Sequence, residues 1–344
     1  MLDGRKEKIL KALVEEYIDT AQPVGSGVIA RRSGVGVSSA TIRNEMADLE
    51  AMGFVEQPHP SAGRMPSGRG YRYYVDRLMT VDELAGSVMA CIRGLYDDRS
   101  VPVQTLFRRT AGVLSEMTEY TALVEGPQLE RATFKRLELF EVNGNRLLLV
   151  LLTGDGLIQT RLLERPPHIS AEYREAMVTS LNSRLAGRPL GAVAARDLEL
   201  VRREFPRALA LIESIRSTIE PSDAADSEGL FLGGAANMLK QPEFQRLEKI
   251  EGILSFLERG RILRDLLADV ALAPIDISVT IGEENRYPEM RDCSLVTAAY
   301  HAGGHTVGHI GILGPCRMRY SHVVGLIAAV KELLGRELLR RRLA

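Results

Sequence analysis

Arg43 and Asn44 stand side by side in the segment SSATIRNEMADLEA, which opens at Ser38. Arginine is shaped for paired hydrogen bonds with a guanine edge, and asparagine for paired bonds with adenine. Ala40 and Ala47 lie on the same side of a helix through this segment, and their small side chains let its backbone approach the bases. Thr41 and Asp48 flank that face, while Ile42, Met46 and Leu49 recur at i, i+4 and i+7 on the other. Ser38 and Ser39 precede the helix, where hydroxyls and free backbone N–H groups can hold phosphate oxygens. The chemistry these types support is the reading of base edges in the major groove of double-stranded DNA.

A second set follows in the loop Pro58–Gly70 and its continuation. From His59 to Arg77 the chain carries Arg64, Arg69, Arg72 and Arg77 against Asp76 alone, a local charge of +3 in a chain of net charge −1. Residues 1–79 together hold 11 basic and 10 acidic side chains, so the cations form a stripe and not a generally basic domain. Positive charge beside a reading helix is what phosphate attraction needs. The expected DNA-binding residues are Ser38, Ser39, Ala40, Thr41, Arg43, Asn44, Ala47, His59, Ser61, Arg64, Arg69 and Arg72.

These residues need a frame. Ile9, Leu10, Leu13, Val14, Tyr17 and Ile18 make an apolar stripe, predicting a helix over 5–19 that stops at Gln22-Pro23-Val24-Gly25. Ser26 is expected to cap a short helix through Arg32, Gly34 to take the left-handed turn, and Ser38 or Ser39 to cap the third helix, which Gly53 ends. A short strand at Phe54–Gln57, the basic loop as a wing, and a helix over Tyr71–Met79 complete a winged helix-turn-helix. A plain helical bundle with solvated arginines is the competing account.

Other candidate chemistry is weaker. His301, His305 and His309 are spaced by four, but Gly303, Gly304, Gly308 and Gly311 disfavour a helix. On a strand His305 and His309 would share a face about 13 Å apart at ~3.3 Å per residue, too far for one metal ion, so polar residues on an exposed hairpin are expected. Gly233-Gly234 and Gly311-Ile312-Leu313-Gly314-Pro315 lack the Walker spacing and predict tight turns and close packing. Glu283-Glu284 reads as a solvated turn. No nucleophile–base pattern stands out, so an enzyme is not expected, and neither is a cofactor. Cys91, Cys293 and Cys316 are scattered and odd in number, which fits a reducing, cytoplasmic setting. No apolar run reaches the ~20 residues of a membrane span, and the charged start MLDGRKEKILKALVEEY does not suit a signal peptide.

At 344 residues, with 45% apolar and 26% charged residues, the chain is long enough for two or three domains. Helical pattern runs from about Leu84 to Glu119, broken near Asp97–Pro102. Strands are expected at 122–124, 134–140, 146–152 and 157–163, with hairpin turns Asn143-Gly144-Asn145 and Gly154-Asp155-Gly156. Helices are expected at 170–187, 206–220 and 242–267, with an acidic loop at 221–229 between the last two. Strands resume at 275–281, 293–300 and 307–313 before a final, largely apolar helix from Ser321, whose Arg336, Arg340, Arg341 and Arg342 suit a helix C-terminus. One sheet interrupted by a helix-rich insertion is the economical reading.

The strings VSSATIRNEMADLEAMGFVEQPHPSAGR and PSGRGYRYYVD resemble the heat-inducible transcription repressor family HrcA. LFLGGAANMLKQPEF, IGEENRYPEMRDCSLVTAAY and GILGPCRMRYSHV continue the resemblance in the family's order over nearly the whole chain. Pro60 and Ser67 depart from it, standing where threonine is usual. The resemblance implies an α+β multidomain protein: a winged helix over 1–79, a GAF-like domain from 80–168 and 266–344, and a helix-rich dimerisation domain inserted at 169–265. It further implies a homodimeric repressor of chaperone operons that binds an inverted-repeat operator and is kept active by the GroE chaperonin. The alternative is a GAF-like small-molecule sensor whose winged helix serves a secondary role.

Overall fold

In the computed structural model the described residues are 2–97, 101–126, 133–143, 145–154, 158–190, 195–219, 229–244, 246–269 and 276–343. Gly144, Asp155 and Gly156 of the two expected hairpin turns and most of the acidic loop at 221–229 lie outside them.

The N-terminal head contains α1 (Gly4–Thr20), α2 (Ser26–Arg32), α3 (Ser39–Ala51), β1 (Val55–Glu56), β2 (Met65–Pro66) and α4 (Gly68–Tyr73), which runs into a π turn over Tyr74–Leu78. Asp3 caps α1 by accepting from the backbone N–H groups of Arg5 and Lys6, and Ile9, Leu10, Leu13, Val14 and Ile18 bury its apolar stripe. Gly25 precedes α2 where a serine cap was expected, so Ser26 is the first helical residue. The turn between α2 and α3 uses left-handed backbone at Gly34 and Gly36, a conformation open to glycine because it has no Cβ. Ser67 caps α4 by accepting from Gly70 N–H and donates to the Gly53 carbonyl at 2.6 Å.

Beyond α5 (Gly86–Gly94) and α6 (Val103–Thr118) come β3 (Thr121–Glu125), β4 (Phe134–Asn143), β5 (Arg146–Thr153) and β6 (Ile158–Glu164). They are followed by α7 (Ala171–Leu185), α8 (Ala195–Glu204), α9 (Leu209–Ile219) and β7 (Leu230–Gly233). Next are α10 (Leu247–Leu257), α11 (Gly260–Asp269), β8 (Ser278–Ile281), β9 (Cys293–Ala302), β10 (His305–Pro315) and α12 (Tyr320–Leu343).

The strands form two separate larger sheets, not one. An antiparallel five-stranded sheet has the order β7-β3-β10-β9-β8, and β4-β5-β6 form a sheet of their own. Both faces of the five-stranded sheet are covered, which is why β9 and β10 read as continuous apolar runs without alternation. Ala122, Val124, Ile310 and Ile312 share the core of one face with Leu114 of α6 and Ile327 of α12. Leu123, Leu295 and Leu313 share the other with Phe256 of α10 and Leu267 of α11.

The small sheet packs instead with α7–α9. Leu147, Leu149 and Leu151 share a core with Leu181, Val201 and Ile215. Asn182 fastens α7 to β4, accepting from Leu137 N–H at 2.7 Å and donating to its carbonyl at 2.9 Å. The chain leaves the large sheet after Gly126 and returns at Gly229, where Gly126 N–H donates to the Gly229 carbonyl at 2.7 Å.

This pairing corrects the boundaries drawn from sequence. The strands at 134–164 belong with the insertion, not with the segment 80–168, and β7, α10 and α11 belong with the large sheet, not with 169–265. Hairpin strands close on their immediate neighbours, while the four-residue β7 has too short a pattern to announce its distant partner β3. The α8 helix also went unpredicted.

Two further expectations change. His301 and His305 are exposed beside the Gly303-Gly304 turn, but His309 is 4% exposed and its Nδ1 contacts the buried carboxylate of Glu125. It is an interior residue, not part of an exposed hairpin. Glu284 is likewise more than a solvated turn, because it accepts from Ile281 N–H and receives Arg72 of the head. The glycine pairs do act through close packing: a Cβ on Gly233 would fall 2.2 Å from the Ala111 carbonyl oxygen, and one on Gly311 would fall 2.6 Å from Leu267.

Candidate nucleic-acid interface

The α3 helix has the two faces its sequence specifies. Ile42, Met46 and Leu49 are at most 3% exposed and fix the helix to the head core. Ser38, Ser39, Ala40, Arg43, Asn44 and Ala47 are exposed, and Thr41 is half-buried. Ser38 caps the helix by accepting from Thr41 N–H, and its Oγ lies 3.0 Å from Thr41 Oγ1. The serine side chain is thereby oriented at the helix N-terminus, where unpaired N–H groups point outward. Among the described residues Arg43 enters no ion pair, and its guanidinium stands in solvent beside Asn44.

The wing places its residues differently. His59 and Ser61 are exposed at its tip, which Gln57 holds by donating to the carbonyls of Pro60 and Ala62, both at 2.9 Å. Pro60 therefore contributes its carbonyl to the wing, and its lack of an N–H leaves no donor wasted. Arg64 is tied at its backbone to Val24 and at its guanidinium to Glu50, 2.8 Å away. Arg69 lies over the Phe54 ring, 4.6 Å from its centre, and donates to the Met52 carbonyl at the end of α3. Both arginines brace the junction of α3 and the wing, and Arg69 remains exposed enough to offer further donors.

Arg72 departs from the expected DNA face. Its guanidinium makes a forked pair with Glu284, Nε donating to Oε1 at 2.8 Å, and it also donates to the Val279 carbonyl and to Asp76. Its Nε and one terminal nitrogen are thereby committed to the large-sheet body, and the other terminal nitrogen turns to Asp76 within the head. Further contacts join the same two regions. Arg317 donates to the Ile18 carbonyl, Arg319 lies 3.5 Å from the Asp19 carboxylate, and the Tyr71 and Tyr320 rings lie 6.1 Å apart. The head is thus docked on the body through polar and apolar contacts together.

Three residues that the sequence did not single out, Arg5, Lys6 and Glu45, also touch this region, together with Glu284. Lys6 and Arg5 of α1 reach Glu45 of α3 at 2.8 and 3.3 Å, Lys6 reaches Asp48 at 3.2 Å, and Glu284 holds Arg72. The acids of α3 were a visible signal, since an acidic helix cannot face phosphate uncompensated, but which cations meet them depends on helix packing. Among the described residues α3 thus offers one cation without an ion pair, an amide and small residues on its exposed face, next to a wing with an exposed polar tip. No group of His, Cys, Asp and Glu among the described residues could hold a metal ion, and no helix of the described residues is long and apolar enough to cross a membrane.

Comparison with known proteins assigns both parts. Residues 1–77 match the model described as the winged helix-turn-helix transcription repressor HrcA DNA-binding domain, and 104–324 match the HrcA protein C-terminal domain. The chain is 40% identical over 336 residues to the heat-inducible transcription repressor HrcA of Symbiobacterium thermophilum, covering 97% of this chain and 98% of that one. It is 40% identical over 337 residues to the repressor of the same description from Desulforudis audaxviator, covering 98% of each. A crystal structure described as that of a hypothetical protein superposes with a TM-score of 0.70 at 23% identity, over 99% of this chain and all of the other.

Proposed function

Because the chain belongs to the HrcA family of heat-inducible transcription repressors, we propose that it represses chaperone operons by gripping an inverted-repeat operator with two copies of its head. The chain is a transcription repressor with a winged-helix DNA-binding domain. The observation that carries the finer reading is the exposed face of α3, where Arg43 and Asn44 stand free over Ala40 and Ala47. In this reading α3 enters the major groove, Arg43 and Asn44 meet base edges, and Ser38, Ser39 and Thr41 meet phosphates. His59, Ser61 and Arg69 approach the flanking backbone. Arg64 acts by holding the wing against α3, and Arg72 by orienting the head on the body.

An inverted repeat requires a two-fold assembly. The outer face of β4-β5-β6 supports one. Phe140, Leu148 and Leu162 lie in register across its three strands, and Phe140 and Leu162 are about half exposed, at 54% and 48%. An apolar sheet face of this kind marks a protein contact, and a second copy of the chain is the occupant that operator symmetry demands. We therefore read the insertion as the dimerisation domain and the five-stranded sheet with helices on both faces as the GAF-like domain. The working place is the cytoplasm, with the operator DNA.

The heat response follows from marginal stability. Warming that loosens either head or dimer loses the fixed spacing of the two half-sites and with it the affinity gained from binding both. The GroE chaperonin, when free, restores the active fraction; when occupied by other unfolded chains, it does not. A gel shift with an inverted-repeat operator, a scrambled duplex and added chaperonin tests this. Selective operator binding that falls after a heating cycle and recovers with chaperonin is the expected result. Equal binding to both duplexes refutes operator reading, and full binding after repeated heating without chaperonin refutes the heat mechanism.

A further inference from the structure

The reading helix is itself acidic. Between Ser39 and Ala51 it carries Arg43 against Glu45, Asp48 and Glu50, a net charge of −2. Left free, three carboxylates on a helix entering a groove walled by phosphates would repel it. The structure gives each acid a cation from another element. Arg64 of the wing lies 2.8 Å from Glu50. Lys6 alone reaches two: its Nζ is 2.8 Å from Glu45 and 3.2 Å from Asp48.

Lys6 is also held in place. The Asp3 cap sets the first turn of α1 by accepting from Lys6 N–H at 2.8 Å, and the Asp3 carboxylate lies 3.4 Å from the ammonium. Lys6 continues the buried stripe of Ile9, Leu10 and Leu13 at helical spacing, so its stem lies along the α1–α3 contact. The side chains of Lys6 and Glu45 are only 14% and 13% exposed. Arg5 adds a weaker, more exposed contact to Glu45 at 3.3 Å. Among the charged residues of α3, Arg43 is left as the one without an ion pair among the described residues.

We propose that Lys6 is a positioning residue for DNA binding: it clamps Glu45 and Asp48 against α1, so that α3 presents Arg43 and Asn44 to the groove without uncompensated negative charge. Lys6 makes no base or phosphate contact in this proposal; it acts through the two carboxylates. The proposal rests on the operator-reading role given to α3 above.

The test uses the full-length protein and an inverted-repeat duplex over a range of salt, at a temperature where circular dichroism shows every variant folded. Lys6→Gln is expected to weaken operator binding about tenfold at low salt, in line with the cost of like charges brought together at an interface. The deficit should shrink as salt rises, because screening weakens repulsion, whereas a damaged fold would leave it unchanged. Lys6→Arg should bind like the parent protein. Glu45→Gln with Asp48→Asn should change little in the parent background and restore affinity in the Lys6→Gln background. An unaltered Lys6→Gln, a salt-independent deficit, a loss in Lys6→Arg, or an equal gain from the acid substitutions in both backgrounds would each overturn the clamp. The last outcome would make Lys6 a phosphate contact instead. Failure of the parent protein to prefer the operator sinks the underlying reading, while a selective parent without this coupling sinks the clamp alone.

Discussion

The exposed face of α3 and the exposed face of the β4-β5-β6 sheet are built alike and finished oppositely. Each belongs to an element whose other face is anchored in a core, Ile42, Met46 and Leu49 in one case and Leu147, Leu149 and Leu151 in the other. On α3 the outward residues are small or polar, and its acids are paired with cations from α1 and the wing. On the sheet they include the apolar row Phe140, Leu148 and Leu162, with Val150 beside it in register with Glu138 and Thr160. One surface suits a hydrated, highly charged polymer, and the other suits removal from water. The difference separates two tasks in space: reading DNA and holding two readers at a fixed distance.

The largest effect is expected at the sheet. Phe140→Asp with Leu162→Asp should leave the insertion folded, since both side chains point away from its core, but should yield a monomer in sedimentation. Losing the linked second site should cost about 10²–10⁴ in operator affinity, with half-site binding unchanged. A dimer that survives both substitutions would move the contact elsewhere.

Arg43→Ala strikes the other surface. A loss of about 1–3 kcal/mol is expected on the operator, with relaxed preference at one base pair per half-site and an unchanged dimer. Equal losses on operator and random duplex would assign Arg43 to phosphates.

Ser38→Ala is the smallest of the three. Removing the cap of α3 should lower the head's stability by about 1 kcal/mol, read as a lower melting temperature. An unchanged melt would show that the cap adds nothing beyond what the core already fixes.

The head was legible because its signals are local. Three helices, the glycine turn at Gly34 and the serine cap follow from spacing within a few residues, and the structure places them within a residue or two. The insertion was less legible. Its strands were visible, but strand pattern does not name a partner: nothing local separates β4-β5-β6 from β3, which pairs with β10 from the far end of the chain, Leu123 opposite Gly311. His309 illustrates the same limit. Its glycine neighbours suggested an exposed hairpin, and only the pairing of β10 beside β3 shows that Glu125 lies against it.

The arginines of the wing show where type and location part. Arg64, Arg69 and Arg72 are all cations in a loop beside a reading helix, and sequence treats them alike. In the fold Arg64 meets Glu50, Arg69 meets Phe54 and the Met52 carbonyl, and Arg72 meets Glu284 across the head–body contact.

The amino-acid order by itself determined the two-faced α3 helix and the residues it exposes, since a 3.6-residue period needs only neighbours along the chain. Tertiary structure decided which charges are spent and which stay free, and which strands share a sheet. Those outcomes depend on groups distant in sequence meeting at a few ångströms, a geometry that spacing along the chain does not encode.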